Sequence, residues 1–255
     1  MEFDKELKTH FLKGHEKYLR HVSVDSVIFG FHENDLKVLL LKAKYGAWSL
    51  SGGFILKNEH SDTAAHRVLK ERTGLEKIFL QQFHVFSHPA RSTKELNQQF
   101  LKNIGVKIDK SWMFERFITI GYYALVDFTK VNPTPDKVSE ACEWFSIDEL
   151  PEMILDHRNI FDEALRALRM QLNFHPVGYN LLKRKFTMPE LQKLYETILG
   201  KKLDRRNFQR KMIATGILKR LEETKKGVAH KAPFYYKFDL PKYNKALKAG
   251  MGFEL

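Results

Sequence analysis

Apolar residues recur along this chain with two different periods. Runs of β-branched and aromatic residues, Val22 to Phe31 and Leu36 to Lys42, flank the turn-forming stretch His32-Glu33-Asn34-Asp35 and predict a hairpin. Ala47 to Leu50, Ile78 to Phe86, Phe117 to Asp127 and Ala141 to Ile147 predict further strands, and Asp148 to Met153 a single helical turn. Helical spacing predicts three helices among them. One uses Leu7, Phe11, Tyr18 and Leu19 to pack on the domain behind it. A second is capped by Ser61 or Asp62, runs to Arg72 and stops at Gly74. A third buries Ile160, Phe161, Ala164, Leu165, Leu168 and Leu172. The polar segment Ser87 to Glu115 has a weak helical stretch around Lys94 to Lys102. A segment that long in a compact domain implies local helix or a functional lid.

The pattern changes at Asn173-Phe174-His175-Pro176-Val177-Gly178, where Pro and Gly interrupt it. Beyond that seam Thr187 with Glu190 forms a capping box for a helix carrying Leu191, Leu194, Tyr195 and Ile198 on one side and ending at Gly200. Asp204 caps a second helix, Arg205 to Thr215, closed by Gly216. Ile217 to Leu221 and Phe234 to Phe238 read as strands around a loop holding Lys225, Lys226 and Lys231. Two helices about a short turn, then a basic-tipped hairpin, is a winged helix-turn-helix. Of Phe234, Tyr235 and Tyr236, strand alternation sends at least two to the core. The expected division is therefore a helical extension over 1–21, a domain of strands and helices over 22–173 and a winged helix domain over 174–255.

Charge sharpens that division. Residues 1–174 carry 24 Lys+Arg against 24 Asp+Glu, whereas 175–255 carry 19 against 7, so the whole formal excess of +12 lies in the last part. A neutral body with a basic end implies two tasks, one of them on a polyanion. Hydrophobic residues at 43% supply real cores, and the longest apolar run, Val38 to Leu41, cannot span a bilayer, so no membrane is expected. A lone cysteine, Cys142, excludes an intramolecular disulfide and fits a reducing cytoplasm. His60, His66, His84 and His88 lack helical metal-ligand spacing, so no metal and no cofactor is expected.

The most specific segment begins at Gly53. Five residues on comes Glu59, then seven more lead to Arg67-Val68-Leu69-Lys70-Glu71-Arg72-Thr73-Gly74-Leu75. This resembles the Nudix box, with Gly53, Glu59, Arg67, Leu69, Glu71, Gly74 and Leu75 in register. The resemblance implies an α+β fold, a mixed sheet sandwiched by helices, and a strut between Glu59 and Arg67. It also exposes two departures. Val68 and Arg72 stand where the family has metal-binding glutamates, leaving Glu71 alone. Spacings of i, i+3 and i+4 put positions 68, 71 and 72 on one helix face, and that face has no net formal charge. A Mg²⁺ site needs several hard oxygen ligands, so a Nudix enzyme is not expected here.

The second half, Phe186-Thr187-Met188-Pro189-Glu190-Leu191-Gln192-Lys193-Leu194-Tyr195-Glu196 followed by Leu203-Asp204-Arg205-Arg206-Asn207-Phe208, looks like the winged helix of the Nudix-related transcriptional regulators. That resemblance implies a catalytically defective Nudix domain sensing a small effector for a DNA-binding domain. The effector is L-arabinose or another pentose in one branch and ADP-ribose in another. Phe29-Gly30-Phe31, Gly52-Gly53-Phe54 and Arg67-Val68-Leu69 look closer to the pentose branch. The chain is thus expected to be a homodimeric repressor on double-stranded operator DNA. The expected effector pocket lies between the sheet and the degenerate box, near Trp48, Gly53, Glu71 and Arg72, with Asp25, Lys42 and Arg116 as neighbours. Arg205, Arg206, Asn207, Arg210 and Lys211 on the second helix, with Lys225, Lys226 and Lys231 on the wing, are expected to contact DNA. The competing reading is a Nudix hydrolase of nucleoside diphosphate compounds that carries a nucleic-acid-binding domain.

Overall fold

The computed structural model describes residues 2–43, 48–76, 78–103, 108, 110–136, 139–172, 174, 177–179, 181–227 and 232–249. Contacts divide the chain into two units. The first takes the chain up to Phe29, Lys37–Leu125 and Val131–Ala164; the second takes Gly30–Leu36, Val126–Lys130 and the chain from Leu165 onward. The second unit thus starts before the 173/174 seam and recruits two short pieces from earlier in the sequence.

In the first unit α1 (Glu2–Lys17) leads into β1 (Tyr18–His32), which turns back as β2 (Asp35–Ala43). Tyr18 and Leu19 open the strand instead of continuing the helix, a correction to the helical spacing. At the turn Glu33 (φ 50°) and Asn34 (φ 64°) are both left-handed, the backbone a two-residue turn needs to match the twist of its strands. β3 (Trp48–Ser49), β4 (Ser51–Leu56), β5 (Gln81–Phe86), β6 (Ile118–Val126) and β7 (Ser139–Ser146) complete the sheet. Its order is β3-β2-β1-β6-β5, with β4 added to β1 and β7 to β2.

Helices cover both faces, and the register says which residues look where. Val24 pairs with Gly53 and Asp25 with Gly52. A Cβ added to Gly53 would sit 2.8 Å from Val68 Cγ2, so the Val24 face looks onto α2 (Ser61–Thr73). Phe29 lies on the Asp25 face by strand alternation and meets Phe161 of α4 (His157–Gln171), ring centroids 5.9 Å apart. Gly74 closes α2 at φ 72°, its N–H donating to Lys70 O. The α2 N-cap is His60, not Ser61 or Asp62, and its side chain makes no cap bond; Asp62, inside the first turn, accepts a 2.7 Å hydrogen bond from the Tyr122 hydroxyl. Asp148 to Met153 forms no helical turn; Met153 bridges to Trp48 as a parallel partner.

The segment Ser87 to Glu115 folds locally, with a 3-10 turn at Pro89–Arg91, α3 (Lys94–Asn103) and a second 3-10 turn at Trp112–Phe114. It packs on α1. The Trp112 indole N–H donates to His10 O at 3.1 Å and the Ser111 hydroxyl to Phe11 O at 2.6 Å. Gly14 makes room, since a Cβ there would lie 2.5 Å from the indole. Tyr18, Phe54 and Phe117 ring the same indole at centroid distances of 6.0, 4.8 and 5.3 Å.

The second unit contains β8 (Phe186–Thr187), α5 (Met188–Leu199), α6 (Arg205–Ala214), β9 (Leu218–Thr224), β10 (Phe234–Phe238) and α7 (Leu240–Ala249). The capping box forms: the Thr187 N–H donates to the Glu190 carboxylate at 2.7 Å, and the Glu190 N–H to Thr187 Oγ1 at 3.4 Å. Leu191, Leu194, Tyr195, Ile198, Phe208 and Met212 interlock in the core. Tyr236 is buried, but Phe234 is exposed and Tyr235 only half-buried, so one of the three aromatics, not two, reaches the interior. The α7 helix, which the sequence pattern did not reveal, seats Tyr243 against Phe238 at 5.0 Å. Among the described residues, no helix is long and apolar enough to cross a membrane.

Candidate functional site

The degenerate box is a structural element with its own logic. Glu59 receives two bonds from Arg67, from Nε at 2.8 Å and Nη2 at 2.7 Å, plus the Leu56 N–H at 3.1 Å. Arg67 Nη2 also donates to Phe54 O at 2.8 Å, tying the loop after β4 to α2. These bonds hold the Glu59 carboxyl below the usual glutamate range despite the opposing effect of burial. The face expected to carry 68, 71 and 72 together does not stay together. Val68 is sealed against Gly53 in the core, whereas Glu71 is 58% exposed and bonds Arg67 Nη1 at 3.0 Å. Gly53 is therefore needed for helix packing, and its place near a pocket is corrected to a place under Val68.

Arg72 is mostly buried and forms an ion pair with Asp136, whose other oxygen accepts the Ser139 N–H at 2.9 Å. The guanidinium charge is thereby compensated by a residue from the loop before β7. Around this pair Arg72 Nε and Ser139 Oγ are buried without a hydrogen-bond partner. Next to it burial pushes the Cys142 thiol up to about 12, so it is inert as a nucleophile at neutral pH.

The remaining effector candidates fall into separate places. Lys42 lies 5.9 Å from the Trp48 ring and bonds Glu140 at 2.9 Å, while Trp48 meets Phe145 edge-on at 4.6 Å. Asp25 sits on the opposite sheet face from Gly53 and looks toward His157, Oδ1 to Nε2 3.9 Å. Arg116 is exposed in the segment before β6. Arg72 lies close enough to His157 to act on it electrostatically, so Arg72 and Asp25 bear on the same histidine.

His157 is the residue that organises the Asp25 side. Its Nδ1 accepts the Leu50 N–H at 2.9 Å, and burial holds it below the ordinary histidine range, so it is neutral with its proton on Nε2. The turn before it contains Leu155 at φ 48°, a left-handed conformation costly for a non-glycine residue. Asp156 in that turn takes a two-pronged bond from buried Arg91, Nε at 2.8 Å and Nη2 at 3.0 Å, and Arg91 Nη1 donates to Phe117 O at 2.9 Å.

In the second unit α6 presents one polar face. Arg205, Arg206 and Arg210 are exposed and Asn207 half-exposed, opposite the buried Phe208 and Met212. Asp204 Oδ1 accepts the Asn207 N–H at 2.8 Å, and Arg210 Nη2 donates to Asn207 Oδ1 at 2.9 Å, which fixes these two side chains relative to each other. Exposed Ile213 joins this surface and Lys211 borders it. On the wing, Lys226 is exposed, whereas Lys225 is held by Glu190 at 2.8 Å and corrected from a free phosphate contact to a brace between wing and α5. Lys231 lies outside the described residues. Arg220 covers the exposed Phe234 ring at 4.6 Å.

The family model of the NUDIX domain matches residues 19–166. The chain belongs to the Nudix family. It is a Nudix-related transcriptional regulator, since the model of the NrtR DNA-binding winged helix domain matches residues 178–238. This Nudix regulator is 28% identical over 232 residues to the ADPR responsive transcriptional repressor NtrR of Acinetobacter baylyi, covering 88% of this chain and 84% of that one. It is also 28% identical over 165 residues to an ADP-ribose pyrophosphatase of Methanocaldococcus jannaschii, covering 63% and 82%. Its fold is similar to Shewanella oneidensis NrtR complexed with a 27mer DNA, at TM-score 0.66 and 21% identity over 92% of this chain and 99% of that one.

Sequence reasoning missed Asp136, Arg91, Asp156 and His157 in the Nudix regulator. Asp136 carries no local signal, because its partner Arg72 lies 64 residues away. The position of His157 at the first turn of a helix was the one available hint. Ile213 is an apolar residue exposed on α6, and neither charge nor a motif marks it in the sequence.

Proposed function

We propose that this Nudix regulator is a cytoplasmic, homodimeric, ligand-responsive repressor whose Nudix unit binds a sugar-bearing metabolite without hydrolysing it. The metabolite is ADP-ribose or a pentose such as L-arabinose. Residues 22–173 form the sensor, 1–21 the extension packed on it, and 174–255 the DNA-binding part. The carrying observation is the fate of the metal face: Val68 is in the core and Arg72 is bonded to Asp136, where a hydrolase needs carboxylates for its cations. The name of the Acinetobacter baylyi relative supports an ADP-ribose effector.

On the DNA side Arg205, Arg206, Asn207 and Arg210 enter the major groove, with Lys211 and Lys226 on phosphates. Effector binding shifts the protein between conformations with different operator affinity, and operator and effector must weaken each other equally. On the sensor side Lys42 and Trp48 are proposed effector contacts together with Asp25. The test is selection from random duplexes with the purified chain, followed by titration at two salt concentrations with and without ADP-ribose or L-arabinose. A two-fold-related enriched sequence, released or tightened by one of these compounds, is expected. No enriched sequence, combined with metal-dependent hydrolysis of ADP-ribose, would instead establish the hydrolase that the resemblance to the pyrophosphatase favours.

A further inference from the structure

Asp25 presents an unsolved problem for the folded chain. Its side chain is only 8% exposed, and the charged or titratable group that faces its carboxylate is His157 Nε2, at 3.9 Å and so beyond hydrogen-bond reach. Gly52, directly across the strand pair, leaves the space the carboxylate occupies, since a Cβ there would collide with Asp25 Oδ1. A buried carboxylate without a partner costs several kcal/mol unless something completes it.

The chemistry of the missing partner follows from the two groups. His157 Nδ1 is already used as an acceptor by the Leu50 N–H, so the neutral ring offers a proton at Nε2 and cannot ligate a metal through that atom. Asp25 offers an acceptor. An oxygen about 2.8 Å from each atom closes a triangle on the 3.9 Å edge. That oxygen must both donate and accept. A phosphate can accept from His157 but is repelled by Asp25, and an ammonium can donate to Asp25 but cannot accept. A hydroxyl does both. Ser23, two residues along the same strand face, bonds Thr119, so the adjacent wall is itself lined by hydroxyls.

We propose that the gap between Asp25 and His157 Nε2 holds one hydroxyl of the effector's sugar ring, donating to Asp25 and accepting from His157. This rests on the reading of the Nudix unit as a sensor of a sugar-bearing metabolite and names the part of the ligand it grips. A free pentose and the ribose of ADP-ribose carry the same group.

The test titrates the full chain calorimetrically with L-arabinose, D-ribose, ADP-ribose, 2-deoxy-D-ribose and inorganic pyrophosphate, and repeats it with Asp25→Asn and His157→Gln. At least one of the first three binds, and which one does so separates free pentose from nucleotide-linked ribose. Its affinity falls about 10- to 100-fold in Asp25→Asn, the range for a hydrogen bond to a charged group. Ligand analogues lacking single hydroxyls locate the same contact on the unaltered chain: one deoxy position costs a similar factor, and that cost vanishes in Asp25→Asn. Binding that ignores both the variant and every deoxy position overturns the proposal, as does absence of binding by all three sugar compounds or tighter binding of pyrophosphate than of any of them. An effector that releases operator DNA independently of Asp25 would leave the regulatory reading standing and remove this one. Asp25-dependent sugar binding in a chain that selects no operator would do the reverse.

Discussion

Removing Arg72 tests whether the degenerate box has become a structural joint. Arg72 and Asp136 are 22% and 15% exposed, so their pairing takes place largely out of water. Deleting one partner of a buried pair costs about 3–5 kcal/mol, because the survivor stays buried and uncompensated. Asp136 keeps the Ser139 N–H at 2.9 Å and some solvent, which places Arg72→Ala just below that range, at about 2–3 kcal/mol. With a urea slope of about 2 kcal/mol/M the midpoint falls by roughly 1 M. Asp136→Asn strips the charge from the other side. If the two residues act as a pair, the double variant is little worse than either single one, and the cycle returns a coupling of about 2 kcal/mol. Glu71→Ala, at an exposed position, is the control and costs less than about 0.5 kcal/mol. The assay is urea unfolding followed by circular dichroism for all four variants. Costs for Arg72→Ala and Asp136→Asn that simply add, or an Arg72→Ala midpoint equal to that of Glu71→Ala, would refute the reasoning. An arginine held ready for a ligand phosphate predicts that opposite pattern: small loss of stability and large loss of effector affinity.

The other expectations concern catalysis, DNA and acid stability. With Mg²⁺ or Mn²⁺, ADP-ribose turnover stays below ordinary enzymatic rates of about 1 per second; chromatographic detection of AMP, the product formed with ribose 5-phosphate, checks this, and faster turnover restores the hydrolase reading. Asn207→Ala or Arg210→Ala weakens the selected operator by about 1–3 kcal/mol and relaxes preference at a few base pairs. Lys226→Ala weakens all duplexes alike and flattens the salt slope by about one unit, whereas Lys225→Ala leaves that slope unchanged because Glu190 already holds its ammonium; fluorescence anisotropy at several salt concentrations separates them. Glu59 is held below the ordinary glutamate range by Arg67, so its contribution is present above about pH 4.3 and lost as pH falls through its lower folded value. Urea midpoints between pH 7 and pH 3 should therefore fall in acid, and Glu59→Gln should flatten that fall.

Local signals were readable where the chain solves a backbone problem with neighbours in sequence. Thr187 with Glu190, Asp204 with Asn207, and Gly74 and Gly200 at helix ends all satisfy terminal groups within one turn, so they announce themselves. The same holds for Asn34 in the hairpin turn. The failures lie where a residue's partner is remote. Val68 stands at a box position whose residue type is legible in the sequence, but its burial depends on Gly53 across a helix–sheet contact. Asp148 to Met153 has a composition that suits a turn, but its end pairs with Trp48, a partner about 100 residues away in sequence. Lys225 seemed a free wing charge until the fold brought Glu190 beside it. Asp25 and Gly53 fall on opposite faces of the sheet through the alternation of paired strands, which nearness to one motif does not reveal.

The clasp between α1 and the second 3-10 turn has a consequence for how the protein is made. Phe11 and His10 find Ser111 and Trp112 across separations of 100 and 102 residues. A ribosome adding about 5–20 residues per second delivers the indole roughly 5–20 s after the helix it must dock on. During that interval α1, 16 residues long, has none of these contacts, and an isolated helix of about that length is marginal in water. The helix that leaves the ribosome ahead of the sheet thus cannot dock until residue 112 has followed it, and Gly14 leaves the space that the indole then fills.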